Sequence, residues 1–331
     1  MRYLALAARN IRFRIFHLRD SLVVRHWLGS LRLISAAVLV AAYAAAIAAA
    51  PALDARQDAP RRGLLYEIRT GGNTVYLFGT LHVGKPEFYP LNRHVNRALA
   101  DSQRLYLEVN LTDTTTVNAE TMAMAMYGDG ITLDQKLPAA LMEKVSARLA
   151  RHQFPQQLAL KMKPWMLAHT ILLLEAKRRG YDPELASEFH LLGYAGAEHK
   201  EILGLESLSD QFAVFDRMSQ AQQQAFLEQT LSELDDARFE TRLKALFDAW
   251  ANADARALED ELQFEKKQDS VFASILLPRL IDERNGAMAD RIADIARSGP
   301  KSFIAVGALH LVGKEGIVEL LRRRGFAVRE L

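Results

Sequence analysis

An α/β fold, with a central mixed sheet flanked by helices, is predicted by three observations: short apolar runs that stop at a glycine or a carboxylate, long helical periods between them, and one motif that occurs near both ends. The motif is an apolar run followed by Gly-x-Leu-His. It stands at Val75-Tyr76-Leu77-Phe78-Gly79-Thr80-Leu81-His82 and again at Phe303-Ile304-Ala305-Val306-Gly307-Ala308-Leu309-His310. A run of β-branched and aromatic residues that ends at glycine reads as a buried strand with a turn at its mouth. Open α/β sheets bind ligands outside the carboxyl ends of their strands, so two such mouths side by side place two imidazoles over one crevice. A lone Gly-x-x-His carries little information. The shared leucine and the Gly-Lys that follows each copy (Gly84-Lys85, Gly313-Lys314) make chance the poorer explanation.

Before the first strand the chain has a different character. Residues 1–52 hold seven arginines against one acid, Asp20, and run uncharged from Leu33 to Ala50 up to the small-residue site Ala50-Pro51-Ala52. A basic stretch, an apolar stretch and a small-residue site describe a secretory signal. The basic stretch is long, and eighteen uncharged residues reach the lower limit of a bilayer span, so an N-terminal membrane anchor is the alternative. Residues 53–63 read as a linker and 64–331 as the folded domain, whose helical middle or lid spans about 139–267.

The whole chain of 331 residues carries a net charge of +2. Without residues 1–52 the balance is 35 basic against 39 acidic residues, so the domain has no electrostatic footprint for nucleic acid. No cysteine is present, which removes disulfides, thiol nucleophiles and thiolate metal sites. Any metal is left to histidine and carboxylate.

In order along the domain, Leu64–Arg69 and Thr74–Phe78 around Thr70-Gly71-Gly72-Asn73 read as a hairpin, Gly-Gly supplying the positive φ that a tight turn needs. A helix follows at about Asn92–Ala100, then a strand Arg104–Val109 whose end carries Glu108. A carboxylate in an apolar strand end is costly unless paired or liganded. Residues 112–136 give no clear period, and Met122, Met124 and Met126 read as core filling. Ala139–Arg179 is helical with breaks at Pro155 and Pro164, and the closing Lys177-Arg178-Arg179 reads as a solvated helix C-terminus. A helix over Glu184–Ala197 carries Glu188 and His190, and Glu201–Glu206 is a second strand ending in a carboxylate. Ser219–Lys267, rich in Gln, Glu and Ala without Gly or Pro, suits one or two long surface helices or a lid. A helix from Ile281 to Ser298 carries Glu283-Arg284-Asn285, and the strand ending near His310, the helix Glu315–Arg324 and the strand Phe326–Arg329 close the chain.

Taken together, Gly79-Thr80-x-His82, Glu108, Leu205-Glu206 with Gln211, Glu283-Arg284-Asn285 and Val306-Gly307-Ala308-x-His310-Leu311-x-Gly313-x-x-Gly316 resemble the TraB/GumN family. That family includes the animal Tiki proteins and is distantly related to the erythromycin esterases. The resemblance covers residues 64–331 and implies an α/β fold with both Gly-x-x-His elements at one site. The Tiki branch implies a metal-dependent protease; the esterase branch implies histidine and glutamate acting without a required metal. One segment departs from the pattern: Ala186-Ser187-Glu188-Phe189-His190-Leu191 stands where relatives often show Gly-x-Asp-x-His-Phe.

The resemblance implies His82 and His310 as metal ligands, with Glu108 and Glu206 as ligand or general base in either order, His190 as a further ligand or acid, and Arg284 as charge stabiliser or substrate anchor. Gly79, Thr80, Gly307 and Asn285 shape the site. Imidazole and carboxylate suit Mn, Co or Zn, and an open position on such an ion activates water. The function expected is an exported, periplasmic or inner-membrane-anchored metal-dependent hydrolase, peptidase-like, acting on a peptide or small ester. The alternatives are a metal-free esterase or lactonase and a non-catalytic envelope binding or regulatory protein. No Gly-x-Ser-x-Gly elbow supports a serine nucleophile.

Overall fold

The structure is a computed structural model that describes residues 62–331 apart from 114 and 116. The expected signal or anchor and most of the linker lie outside the described residues. Among the described residues no helix is long and apolar enough to cross a membrane.

Six strands account for the sheet: β1 (Leu65–Thr70), β2 (Asn73–Thr80), β3 (Arg104–Val109), β4 (Glu201–Glu206), β5 (Ser302–Gly307) and β6 (Ala327–Glu330). Their order is β4-β3-β5-β2-β1-β6. The hairpin β1–β2 is antiparallel around Gly71 and Gly72, both at positive φ, as a tight turn of this kind demands. Strands β2, β5 and β3 and the edge strand β4 run parallel, so their carboxyl ends share one side of the sheet. β3 does not pair with β2; the slot between them is filled by β5, which arrives from the far end of the chain. That insertion is what brings the second Gly-x-x-His beside the first, with Thr80 opposite Gly307. The two motifs are therefore one residue out of step, Gly79 facing Val306.

Both faces of the sheet are covered, which is why β5 can be apolar throughout. Successive side chains on a strand point to opposite faces. On β2, Phe78 packs against Trp250 and Phe303, while the Gly79 position abuts Ala308 and Leu311. Helix Arg93–Asp101 packs on β2 and β5, helix Ser187–Ala197 on β3 and β4, and helix Glu283–Ser298 on β1, β2 and β4. A second apolar cluster, centred on Trp165, Leu167, Ile171, Leu227 and Leu231, holds the helical middle together.

Two sequence expectations change here. Ser219–Lys267 is not one or two surface helices but three, Gln220–Asp235, Arg238–Ala251 and Ala255–Lys266. Its Trp250 is fully buried and donates Nε1–H to the carbonyl of Gly79 at 2.8 Å, so this segment braces the first motif. Trp250→Phe removes that donor and leaves a buried carbonyl unpaired; we expect a loss of about 1–3 kcal/mol in urea unfolding. The helix expected over Glu184–Ala197 begins at Ser187, after a 3-10 turn at Pro183–Leu185.

The basic run at Lys177–Arg179 closes its helix with Lys177 and Arg178 about half exposed, at 49% and 56%, whereas Arg179 is 11% exposed. Arg178 and Arg179 both reach back to Glu175, which is 1% exposed and also accepts from Arg148 Nη1 at 3.0 Å and lies 2.9 Å from His152 Nε2. Burial alone pushes the Glu175 carboxyl up, but these donors win and hold it down at about 2. A depressed carboxylate contributes stability that is present above its unfolded pKa and is lost as pH falls through the folded one. The domain thus loses roughly 3 kcal/mol from this group between about pH 5 and pH 2. Glu175→Gln leaves Arg148 buried without its charge partner and costs roughly 3–5 kcal/mol at neutral pH, with a flatter acid limb in the same titration.

Candidate active site

Seven residues anticipated from the sequence meet at the shared strand edge: His82, Glu108, Glu206, Gln211, Arg284, Asn285 and His310. Arg284 organises the carboxylates. Its Nη2 donates to both Glu108 and Glu206, and its Nε reaches both oxygens of Glu206 at 3.1 Å. Gln211 Nε2 bridges the same two carboxylates at 3.0 and 3.1 Å. Gln211 is placed by helix Leu208–Asp216, started directly after β4 by a capping box between Ser207 and Asp210. Arg284 is placed by helix Glu283–Ser298, which is entered through two π-helical turns, Phe272–Leu276 and Pro278–Asp282. The Arg284 Nη1–H donates to the Leu280 carbonyl at 2.8 Å, a second anchor for the guanidinium.

His310 is buried on the 3-10 turn Ala308–Leu311 that follows β5. Its tautomer follows from its neighbours. Asn285 Nδ2 donates to the Glu315 carbonyl at 2.8 Å, which turns Asn285 Oδ1 towards His310 Nδ1 at 2.6 Å. Nδ1 therefore carries the proton, and Nε2, 3.4 Å from Arg284 Nη1, is the lone pair. That lone pair stands 3.7 Å from Glu108 Oε1. Burial holds His310 down at about 4, so the ring stays neutral at pH 7. The backbone N–H of Gly307 donates to the same Glu108 oxygen at 2.6 Å. Burial favours a neutral Glu108, yet His310, Arg284, His82 and that N–H together hold it at about 2.

His82 occupies the loop after β2. Its side chain is 70% exposed, and its Nδ1 pairs with Glu188 Oε1 at 2.8 Å. That oxygen has no aligned donor, so the contact is electrostatic in character. The Glu188 charge is the main reason His82 is raised to about 9. The glutamate reaches His82 because its helix is stapled to the loop: Leu81 N–H donates to Ser187 Oγ at 2.8 Å, and Ser187 N–H to the Leu81 carbonyl at 3.0 Å. Ala186 sits at φ −58° and ψ 142°, a conformation open to any residue, so a glycine is not needed there. The departure from Gly-x-Asp is thus absorbed by backbone that tolerates alanine and by a carboxylate one methylene longer.

Gly307 marks where the groups converge. A Cβ built there lies 3.2 Å from Glu108 Oε1, 3.5 Å from His310 Cδ2 and 4.0 Å from His82 Nε2. Two imidazoles and a carboxylate suit a divalent ion of the Mn, Co or Zn type. The outer contacts of both rings, Glu188 on His82 and Asn285 on His310, are the kind that orient metal-binding histidines. The three donors ring one point without closing on it, and among the described residues no three His, Asp or Glu side chains stand at ligating distance of a common centre.

Two anticipated residues lie apart from this cluster. His190 turns away and stacks on Tyr89 with ring centroids 4.7 Å apart; burial alone depresses it to about 4, and its buried Nε2 has no partner. Thr80 is buried with its hydroxyl unpaired. Gly79 shapes the site through its carbonyl, held by Trp250, and through its lack of a side chain against Ala308. His169, which sequence reasoning passed over inside a long helical stretch, lies within electrostatic reach of His82.

The fold and this centre define an α/β domain of the mixed-sheet class whose strand mouths carry two histidines and two carboxylates, with one arginine brought to them by a helix. The TraB/PrgY/gumN family profile matches residues 64–330, and the chain belongs to that family. Among curated proteins, Uncharacterized protein YbaP of Escherichia coli is 24% identical over 253 residues, covering 76% of this chain and 89% of that protein. Metalloprotease TIKI homolog of Nematostella vectensis is 23% identical, and Metalloprotease TIKI2 of Xenopus tropicalis 25% identical; each match covers 76% of this chain. The matches take in 64% and 57% of the two TIKI proteins. No solved structure matches the chain significantly.

Proposed function

We propose that this chain is an exported, metal-dependent hydrolase of the peptidase type, with His82, His310 and Glu108 as the donors for one divalent ion. One observation carries the reading: two acceptor atoms, His310 Nε2 and Glu108 Oε1, face each other at 3.7 Å with His82 Nε2 on the same rim. Glu108 Oε1 accepts the Gly307 N–H and His310 Nε2 lies 3.4 Å from Arg284 Nη1, so an ion placed here would share Glu108 Oε1 with that N–H and take the His310 lone pair. A divalent ion held by these residues would supply a water of lowered pKa and polarisation of a scissile carbonyl.

The chain's own residues supply the remainder. Glu108 is the carboxylate facing this space, since Glu206 is engaged by Arg284 and Gln211. With an ion bound, Glu108 Oε1 would share it or accept the proton of the attacking water, and the Arg284 guanidinium, paired with both carboxylates, would offer the nearby positive charge for the carbonyl oxygen. Asn285 and Glu188 fix the two rings. The distant likeness to proteins named as metalloproteases supports the peptidase type, and the signal-like residues 1–52 support export with periplasmic release or anchoring in the inner membrane. A small ester is the second substrate class; the fixed positive charge of Arg284 beside His310 favours it as metal-free chemistry on the same residues.

Cleavage of fluorescein-labelled casein and of p-nitrophenyl esters by metal-stripped and Mn²⁺-loaded full-length chain tests the reading. Casein cleavage restored by the ion, and absent in His310→Ala, is expected. Ester turnover that is indifferent to chelation overturns it in favour of the metal-free route.

A further inference from the structure

We propose that the hollow between helices Arg238–Ala251 and Ala255–Lys266, beside the turn that carries His310, is a peptide-binding site that seats one large apolar side chain next to a lysine or arginine. The site goes beyond the hydrolase reading and stands without it.

The two helices pack on each other and are joined through Asn252–Asp254, so they form an αα-hairpin. Its joined end is part of the core, where Phe247, Trp250, Leu258 and Leu262 are buried. Its open end is not. There Phe239, Leu243, Leu246 and Phe264 stay partly uncovered, Phe264 at 46% exposure, and with Leu309 they line a cavity of about 220 Å³. Leu309 lies on the turn Ala308–Leu311, so one wall of the cavity is the residue next to His310.

Volume sets the size of the occupant. Sites for drug-sized ligands run from about 300 to 1,000 Å³. This cavity is smaller, with room for one large apolar side chain rather than a length of chain. Charge sets what stands beside that side chain. Four carboxylates border the apolar lining, Glu233, Asp236, Glu261 and Glu265, against two arginines. Arg238 is paired with Asp236 at 2.6 Å and Arg242 with Glu265, which leaves Glu233 and Glu261 as the excess negative charge. An apolar hollow with an acidic rim complements an apolar side chain flanked by a cation and repels one flanked by a carboxylate.

The walls are already in place. The Arg242 guanidinium lies over the Phe264 ring at 4.1 Å, and that of Arg179 over Phe239 at 5.1 Å. The other face of the second helix is fixed by buried Leu262 and by Lys266 Nζ, which donates to both oxygens of Asp282 at 2.8 Å. Filling a hollow built this way costs little ordering of the protein.

The test titrates full-length chain into fluorescein-labelled octapeptides of alanine and glycine with a central Phe-Lys, Phe-Glu or Ala-Lys pair, read by thermophoresis. We expect the Phe-Lys peptide to bind about tenfold or more tighter than either of the others. Phe264→Ala weakens it about tenfold by removing apolar lining. Glu233→Gln combined with Glu261→Gln weakens it about threefold to tenfold without weakening the Phe-Glu peptide, and leaves the Tm unchanged. The double variant disturbs no apolar contact and decides the matter if Phe264→Ala fails to fold. Similar affinities for the three peptides, no binding of the Phe-Lys peptide, or an unchanged affinity in the double variant overturns the proposal. A dimer seen by light scattering that Phe264→Ala dissolves would give the hollow to a second copy of the chain, and overturns it too. Binding is read without turnover, so failure of the hydrolase reading leaves this result standing.

Discussion

Arg284→Met abolishes hydrolysis and lowers the Tm by roughly 6–20 °C. The guanidinium is the shared cation of Glu108 and Glu206, both nearly buried, with side chains 10% and 14% exposed. Removing one partner of a buried ion pair costs roughly 3–5 kcal/mol, because the charges left behind have no water to return to. In a domain of this size each kcal/mol corresponds to about 2–4 °C. Arg284→Lys restores part of the stability and little of the activity, since one ammonium cannot reproduce the fork that spans both carboxylates, the Leu280 carbonyl and the approach to His310. Differential scanning fluorimetry beside the casein assay reads both effects. A variant as stable as wild type would show that the two carboxylates do not depend on Arg284 for their charge.

His310→Ala has the opposite signature, a fall in kcat/KM of about a thousandfold or more with a modest change in Tm. The loss of one ligand or of an organising base is worth several kcal/mol in the transition state. Asn285→Ala should lie between: it frees the ring to rotate and to exchange tautomers, so the fall is about 10–100-fold, as for outer partners of metal-binding histidines. Glu188→Gln acts in the same way on His82, with the smaller effect of the two because that ring is exposed and its contact is not aligned. Steady-state kinetics on the four proteins orders them; equal rates in His310→Ala and wild type would remove the imidazole from the mechanism.

Much of the centre was legible because its residues sit at strand mouths. Gly79 with His82 and Gly307 with His310 repeat one pattern, and the apolar runs before them are long enough to call strands. What no linear reading supplies is the sheet order. That β5 enters between β3 and β2 is set by packing of distant elements, and only that insertion brings Glu108 to Gly307. Glu108 and Glu206 looked equivalent from the chain, each closing a strand. Arg284 and Gln211 distinguish them in space, leaving one oxygen of Glu108 towards the imidazoles.

What the sequence left unsaid has a physical cause. Lys177 and Arg178 are as exposed as a helix end of that composition suggests, but Glu175, one turn back, gives no sign in the sequence of being buried. Ser219–Lys267 lacks Gly and Pro, so its breaks at Asp236–Ala237 and Asn252–Asp254 went unseen; Asn252, Ala253 and Asp254 turn the chain with Ala253 at positive φ. His190 had the right residue type beside the right glutamate, but two steps along a helix turn a side chain to another face.

The most direct measurement of the central claim is calorimetric titration of Mn²⁺ into metal-stripped full-length chain, repeated for His82→Ala, His310→Ala and Glu108→Gln, each shown to be folded. A single stoichiometric site in wild type that is lost in both histidine variants is the predicted result. Glu108→Gln then separates its two roles, retaining the ion if the carboxylate is the base and losing it if the carboxylate is a ligand. Equal binding, or none, across wild type and both histidine variants would contradict the assignment of these residues to one metal centre.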